Sequence, residues 1–503
     1  MRHVLAIDQG TTGTTCLLIA DDGRVAGRGY REITQHYPKP GWVEHEPEEL
    51  FRATLAAARE AIERAGAQPD AIGITNQRET VVLWERSTGR PMSRAIVWQD
   101  RRTAARCAEL EPRARRITEI TGLVVDPYFS ATKLEWLLAQ GDAAARAARG
   151  ELAAGTVDSW LVWRLTGGRV HATEPTNASR TMLYDIDRGE WSRELCDLFG
   201  VPMGILPEVR PSAGDFGHTE PEFLGGAVPI AGVAGDQQAA LFGQGCWRGG
   251  EGKQTYGTGA FLLLNTGSTR PAGAPGVLTT LACDCDGRAA YALEGSIFVA
   301  GAAVQWLRDG LGLIADAAES EELARAIPTT DGVYFVPALT GLGAPDWEPR
   351  ARGTVVGITR GTGPAHLVRA ALEAMAYSTA DVLRLMRSCA VGLGGEGSDD
   401  VPLRVDGGAS ANDWLMQFQA DVLGCPVERP DVIETTALGA AGLAGLAAGI
   451  WPDAESFLGV RSFTTFTAGD GAPAAQAGAA EWRRAVRAAL AWARDDLDGS
   501  LHC

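Results

Sequence analysis

The sequence predicts a two-lobed α/β protein, and three observations predict it. The chain is 503 residues long, more than one hydrophobic core ordinarily spans, so two or more domains are expected. Short β-branched apolar runs alternate with segments of helical periodicity along its whole length. A polar turn rich in glycine and threonine, set between two apolar strands, occurs near the start and returns in altered form near the middle. That recurrence suggests a pseudo-duplicated chain whose halves face each other across a ligand cleft.

Residues 4–7 form the first strand. It runs into Asp8-Gln9-Gly10-Thr11-Thr12-Gly13-Thr14-Thr15 and out into a second apolar run, 16–20. Gly10 and Gly13 allow a tight turn and a close approach of backbone N–H groups to a ligand. The hydroxyls, Thr11 and Thr12 at the tip, add donors and acceptors, a set suited to phosphate oxygens. Asp8, at the mouth of the strand, is placed to hold a metal-bound water. Such hairpins are also common as plain turns, so the meaning of this one rests on the motifs downstream in the chain.

Periodicity then predicts a helix over 47–65, strands over 71–75 and 80–84, and a helix after Asp100-Arg101-Arg102. Another helix continues through 133–138, and a strand over 229–233 ends at Gly235-Asp236-Gln237-Gln238. The second polar turn, Gly257-Thr258-Gly259, lies between strands 253–256 and 260–264. Beyond it come a helix over 300–311, a strand over 333–336, a long amphipathic helix over 366–386, a strand over 403–405 and a last helix over 481–495. The Gly-Ala-Pro-rich stretch 467–478 reads as a surface loop or flexible connector. We place the lobe boundary near 243–251, giving an N-terminal lobe over 1–245 and a C-terminal lobe over 246–503.

Composition narrows the partners. A net charge of −17 argues against nucleic acid or an anionic membrane, which demand a broad basic field; one small phosphate ligand needs only a local nest and a metal. The N-terminal apolar run is too short for a signal peptide, and no stretch approaches the roughly 18 apolar residues of a membrane span, so a cytoplasmic protein is expected. Nine cysteines form no CxxC pair, and Cys283-Asp284-Cys285 stands alone, so they read as reduced, packing thiols. The seven histidines are dispersed and imply no metal cluster. Three motifs are coincidences of spelling. Gly392 to Gly397 fits GxGxxG but neither leaves a strand nor opens a helix. Asp215-Phe216-Gly217 lacks any HRD loop. Gly252-Lys253 resembles the end of a P-loop, but Gln254 replaces the serine or threonine and Trp247 the first glycine.

Several strings recur in order. They are the two hairpins, Ile74-Thr75-Asn76-Gln77-Arg78-Glu79-Thr80, Asp126-Pro127-Tyr128-Phe129-Ser130, Ala234-Gly235-Asp236-Gln237-Gln238, Val405-Asp406-Gly407-Gly408-Ala409 and Tyr37-Pro38-Lys39-Pro40-Gly41-Trp42-Val43-Glu44-His45. Through them the chain resembles the FGGY family of carbohydrate kinases, over residues 3–495. The resemblance implies an actin-like, ribonuclease-H-like fold in two lobes, transfer of phosphate from ATP to glycerol with magnesium, and a homo-oligomer, dimer or tetramer.

It also implies roles. On the nucleotide side, Gly10, Thr11, Thr12 and Gly13 hold phosphates, Asp8 lies near the magnesium, and Thr258 faces them from the other lobe. Gly301 and Gln305 lie at a helix start, where free N–H groups favour anions, and Gly408 with Asn412 matches the adenosine pocket. On the substrate side, Arg78, Glu79, Tyr128 and Asp236 supply polar contacts, Gln237 orients the substrate, and Trp98 and Phe261 form an apolar wall. Asp236 is the expected general base for the attacking hydroxyl. Each residue also has a plainer reading: an exposed Arg-Glu pair, core aromatics, turn glycines, and for Asp236 a helix N-cap.

The chain departs from the pattern at Thr15, where many relatives carry an arginine on the nucleotide phosphates, and at Gly13, where they carry serine. The loop before residue 229 has no basic residue, and Glu222 stands where a phosphorylated histidine would, so control by fructose 1,6-bisphosphate or by histidine phosphorylation is not expected. The alternatives are an FGGY kinase of a longer polyol or ketose, such as xylulose, ribulose or gluconate, and an actin-like ATP switch that phosphorylates no small molecule.

Overall fold

The computed structural model describes residues 1–390 and 401–495; the GxGxxG spelling at 392–397 lies outside them. Two sheets carry the architecture. The first contains β1 (His3–Gln9), β2 (Gly13–Ala20), β3 (Val25–Glu32), β4 (Ala71–Asn76) and β5 (Ile230–Gly235) in the order β3-β2-β1-β4-β5. The second contains β6 (Gly252–Tyr256), β7 (Ala260–Gly267), β8 (Leu278–Cys283), β9 (Ala289–Ile297), β10 (Leu403–Gly407), β11 (Val427–Pro430) and β12 (Phe463–Phe466) in the order β8-β9-β7-β6-β10-β11-β12.

The duplication read from the two hairpins is visible in these orders. β3-β2-β1 is an antiparallel meander continued by two parallel strands, β4 and β5. β9-β7-β6 repeats that meander, continued by parallel β10 and β11. Each polar hairpin therefore joins the central strand of its sheet to the meander, and both hairpins sit at equivalent sheet ends, as an actin-like fold requires.

Local chemistry explains the flanking helices. Helix α1 (Pro47–Ala65) opens with proline at its first position and Glu48 and Glu49 in its first turn. It ends with Arg64 and a left-handed Gly66 (φ 63°) whose N–H returns to the Ile62 and Glu63 carbonyls. Its buried stripe, including Leu50, Phe51, Leu55 and Ala58, covers the face of the first sheet formed by Leu5, Ile7, Cys16, Leu18 and Ile74. The opposite face, Val4, Ala6, Leu17 and Ile19, packs on helices α2 (Asp236–Gly243) and α3 (Thr435–Ala447).

Helix α3 is made of small and apolar residues on every side because it is buried all round. A Cβ on Gly73 of β4 would lie 2.0 Å from the Ala440 carbonyl oxygen, and one on Gly439 would lie 1.7 Å from that of Ala239. Backbone meets backbone there, so a helix late in the sequence is seated on the first sheet.

Two expectations change. Residues 467–478 are not wholly a connector, because the last helix, Ala472–Asp495, begins inside them. The composition read as low complexity is alanine-rich, and alanine is the strongest helix former; Ala472 and Ala475 are buried, and Gln476 Nε2 donates to the Asp421 carbonyl at 3.1 Å. The helix over 300–311 is an α segment, Gly301–Gln305, followed by a π turn, Trp306–Gly310. Cys16, Cys107, Cys196, Cys246, Cys283, Cys285, Cys389 and Cys425 are unpaired. Among the described residues, no helix is long and apolar enough to cross a membrane.

Candidate active site

The first hairpin is closed by Gly10 N–H donating to the Gly13 carbonyl at 2.9 Å. Gln77 Nε2 braces it from behind through the Gly10 carbonyl and Gln9 Oε1, both at 3.1 Å. Thr12 is exposed, and Thr11 Oγ1 accepts from Trp98 Nε1 at 2.9 Å, so the tryptophan expected beside the substrate is tied to a threonine expected on phosphate.

Strand register places Asp8, Thr15 and Tyr30 in one row on the sheet face turned toward α2 and α3. The Asp8 carboxylate has no hydrogen-bond donor among the described residues, and burial, then the charge of Asp236, pushes its pKa up to about 7. Gly13 is needed for a steric reason: a Cβ there would lie 2.7 Å from the Arg31 carbonyl oxygen and 2.6 Å from Tyr30 Oη.

The second hairpin mirrors the first, with Gly257 N–H donating to the Gly259 carbonyl at 2.8 Å. Here one expectation fails. The N–H groups of Gly301 and Ala302 are not free for an anion, because they donate to the Gly257 and Thr258 carbonyls, each at 3.0 Å. The helix start is spent on holding the hairpin. Thr258, Gly301, Gln305, Gly408 and Asn412 nonetheless line one cavity of about 530 Å³, together with Val304 and Leu372. Asn412 Oδ1 accepts from Leu415 N–H at 2.8 Å as a helix N-cap, leaving its amide N–H₂ for a ligand.

Between the hairpins lies a cluster of buried charges. Arg78 and Glu79 are 3% and 1% exposed, so the surface-pair reading is wrong. Glu79 takes a left-handed backbone (φ 60°), and this departure from extended geometry lets adjacent side chains enter one pocket. Arg78 Nη1 and Nη2 donate to Glu294 Oε2 and Oε1 at 2.6 and 3.2 Å, and Arg78 Nε pairs with Asp236 Oδ1 at 3.1 Å. Arg180 Nε donates to Glu79 Oε1 at 2.6 Å and Nη2 to Glu294 Oε1 at 3.1 Å, while its guanidinium lies 5.6 Å from the centre of the Tyr128 ring. Tyr128 also meets Trp98 edge to face at 5.6 Å.

Asp236 is the first residue of α2 rather than its N-cap, which is Gly235, and its Oδ1 accepts the Gln237 N–H at 2.7 Å. Its side chain is 31% exposed to the cleft, and the burial around it raises its pKa against the pull of Arg78. Burial alone would raise Glu294 too, but Arg180 and Arg78 hold its pKa down at about 2. On the second sheet, register sets Lys253, Leu263 and Glu294 in one row and Thr255, Phe261 and Ser296 in the next. Lys253 Nζ donates to Gln237 Oε1 at 2.6 Å and Thr255 Oγ1 at 2.7 Å. Phe261, half-buried, packs beside Leu241 and Leu263.

The structure thus brings Arg78, Glu79, Tyr128 and Asp236 together, with Gln237 beside them, Trp98 against Tyr128 and Phe261 on the facing sheet. Sequence reasoning missed Arg180, Glu294 and Lys253. The signal for Glu294 was a charged residue inside Ala289–Ile297, a strand otherwise apolar or small, whereas Lys253 shares its strand with Gln254 and Thr255 and was noticed only as part of a false P-loop.

Comparison with known proteins places the chain in a family. The model of the FGGY family of carbohydrate kinases, N-terminal domain, matches residues 3–243, and that of its C-terminal domain matches 252–448. The chain is 56% identical to a glycerol kinase of Methylobacterium nodulans over 96% of this chain and 97% of that one. It is 55% identical to a glycerol kinase of Carboxydothermus hydrogenoformans over 91% and 92%. The crystal structure of Plasmodium falciparum glycerol kinase with ADP is 35% identical, covers 97% of this chain and 98% of its own, and superposes with a TM-score of 0.91. A xylulose kinase of Lactobacillus acidophilus, 19% identical, shares the fold over 99% of both chains with a TM-score of 0.84. With both halves matched in order and both sheets built on one plan, the chain belongs to the FGGY family of carbohydrate kinases.

Proposed function

We propose that the chain phosphorylates glycerol from ATP, yielding glycerol 3-phosphate and ADP. The observation that carries this reading is the identity of 56% to a glycerol kinase over nearly the whole of both chains. The polar, closely confined cluster around Arg78, Glu79 and Asp236 is consistent with a small triol. The adenosine enters the 530 Å³ cavity, against Val304 and Leu372, with the Asn412 amide as a polar anchor. The triphosphate runs from Thr258 toward the Gly10–Gly13 turn, where Thr11, Thr12 and backbone N–H groups meet it.

Glycerol lies between Trp98 and Phe261, its hydroxyls held by Arg78, Glu79 and Tyr128. Asp236 accepts the proton of the attacking hydroxyl as that oxygen closes on the γ-phosphorus. Arg78, fixed by Glu294, keeps the Asp236 carboxylate aimed at the cleft. Asp8, a half-buried carboxylate with no donor of its own and a second carboxylate nearby, fits a divalent cation, and magnesium there would neutralise phosphate charge. The protein acts in the cytoplasm as a homo-oligomer, dimer or tetramer.

The test is ADP release from MgATP with and without glycerol, and with xylulose, ribulose and gluconate in its place. Glycerol-dependent release supports the reading. A rate indifferent to glycerol favours an ATP switch, and a faster rate with a sugar reassigns the substrate.

A further inference from the structure

The substrate cluster is not built by one half of the chain. Arg78 and Arg180 come from the side of the first sheet, whereas Glu294 projects from β9 of the second. Its carboxylate, 0% exposed, takes both terminal nitrogens of Arg78 and one of Arg180, and Arg180 passes the constraint on to Glu79 Oε1. Only a few rotamers let Arg78 meet Glu294 in a fork, or let Arg180 bridge the two carboxylates of Glu79 and Glu294. Arg180 Nη1, wholly buried, has no acceptor among the described residues. A buried donor without a partner is costly, so Arg180 depends on its contacts with Glu79 and Glu294 to stay in place.

We propose that Glu294, acting with Arg180, is the positioning residue of the glycerol pocket, a brace from the second sheet that fixes the Arg78 and Glu79 side chains before substrate arrives. This rests on the reading of the pocket as a polyol site. The brace touches no reacting atom; it acts through Arg78 and Glu79. Without it, Arg78 keeps Asp236 and Gln238 Oε1 as partners, the latter at 3.2 Å, and settles toward them. The pocket then loses the geometry of two contacts at once, and a displacement of about 1 Å in a reacting site costs on the order of a hundredfold.

The test uses the full-length chain with Glu294→Gln, which keeps the shape and removes the charge and one acceptor, and Arg180→Lys, which keeps the charge and removes the planar bridge between Glu79 and Glu294. In both variants kcat/KM for glycerol should fall on the order of a hundredfold with a raised KM for glycerol, while KM for ATP stays within about threefold. The rise in melting temperature caused by glycerol should shrink, and the double variant should be little worse than either single one, because both break one brace.

An unchanged KM for glycerol with only a lower melting temperature would overturn the inference, as would additive losses or a parallel rise in KM for ATP. Should Glu294→Gln fail to fold, Arg180→Lys decides by the same criteria. Absence of glycerol-dependent turnover in the unmodified protein would instead remove the polyol reading itself, so the two failures are separable.

Discussion

Replacing Asp236 by asparagine separates chemistry from binding. The asparagine oxygen can still accept from Arg78 Nε and from the Gln237 N–H, the two contacts now at 3.1 and 2.7 Å. Arg78 itself stays in place, because its two terminal nitrogens are held by Glu294 at 2.6 and 3.2 Å. What disappears is the proposed proton acceptor. A general base contributes about 10²- to 10⁴-fold, so turnover should drop by that factor, about 2.7–5.4 kcal/mol of barrier at roughly 1.36 kcal/mol per decade.

The assay is steady-state ADP release together with calorimetric titration of glycerol in the presence of a non-hydrolysable ATP analogue. Glycerol affinity should stay within about threefold while kcat collapses. The pH profile adds a check. Burial raises the Asp236 pKa, so the acid limb should lie above the ordinary carboxylate range, activity being lost as the pH falls through it; the variant should lack that limb. Turnover within about fivefold of the unmodified protein would remove Asp236 from the role.

Three further outcomes rest on other contacts. Asp8 titrates at about 7 rather than its ordinary 3.8, so in that window the native chain holds a proton the unfolded chain has lost. Its stability contribution is therefore full below the unfolded value and fades as pH rises through about 7. Magnesium held at Asp8, as proposed, would have to expel that proton. Titration in buffers of differing ionisation enthalpy should show close to one proton released per magnesium at about pH 6 and almost none at about pH 8; a pH-independent affinity would contradict the assignment. Gly439→Ala should destabilise by about 1–3 kcal/mol or more, read as a lowered melting temperature, because the added Cβ meets the Ala239 carbonyl at 1.7 Å. Thr258→Val should raise KM for ATP roughly five- to tenfold, the value of one lost hydrogen bond, and leave KM for glycerol alone.

Much of this molecule was legible from local pattern. The hairpins announced themselves because glycine and threonine spacing is a property of a few consecutive residues. Helix α1 was legible over about its observed span because Pro47 and Gly66 punctuate it locally. Stretch 467–478 misled because its alanines were weighed as composition, whereas their helicity depends on packing against the Asp421 region. The N–H groups of the helix start at Gly301 were expected to be free because nothing local shows that the Gly257 and Thr258 carbonyls consume those of Gly301 and Ala302.

By itself the sequence determined the two-lobed α/β plan, the paired hairpins and a carboxylate at the end of an apolar strand, since these arise from periods of 2 and 3.6 residues and from turn chemistry. Only the tertiary structure decided which charges meet. Glu294 reaches Arg78 across 216 residues of chain and Arg180 across 114. A buried carboxylate is tolerated only where distant guanidiniums converge on it, and that convergence is set by how the two sheets dock through α2, whose Leu241 packs with Leu263, Ala282 and Ala292 of the second sheet. The seating of α3 on the first sheet and α2 depends on Gly73 and Gly439, whose missing Cβ atoms let backbones touch, a property invisible until the partner backbone is in view.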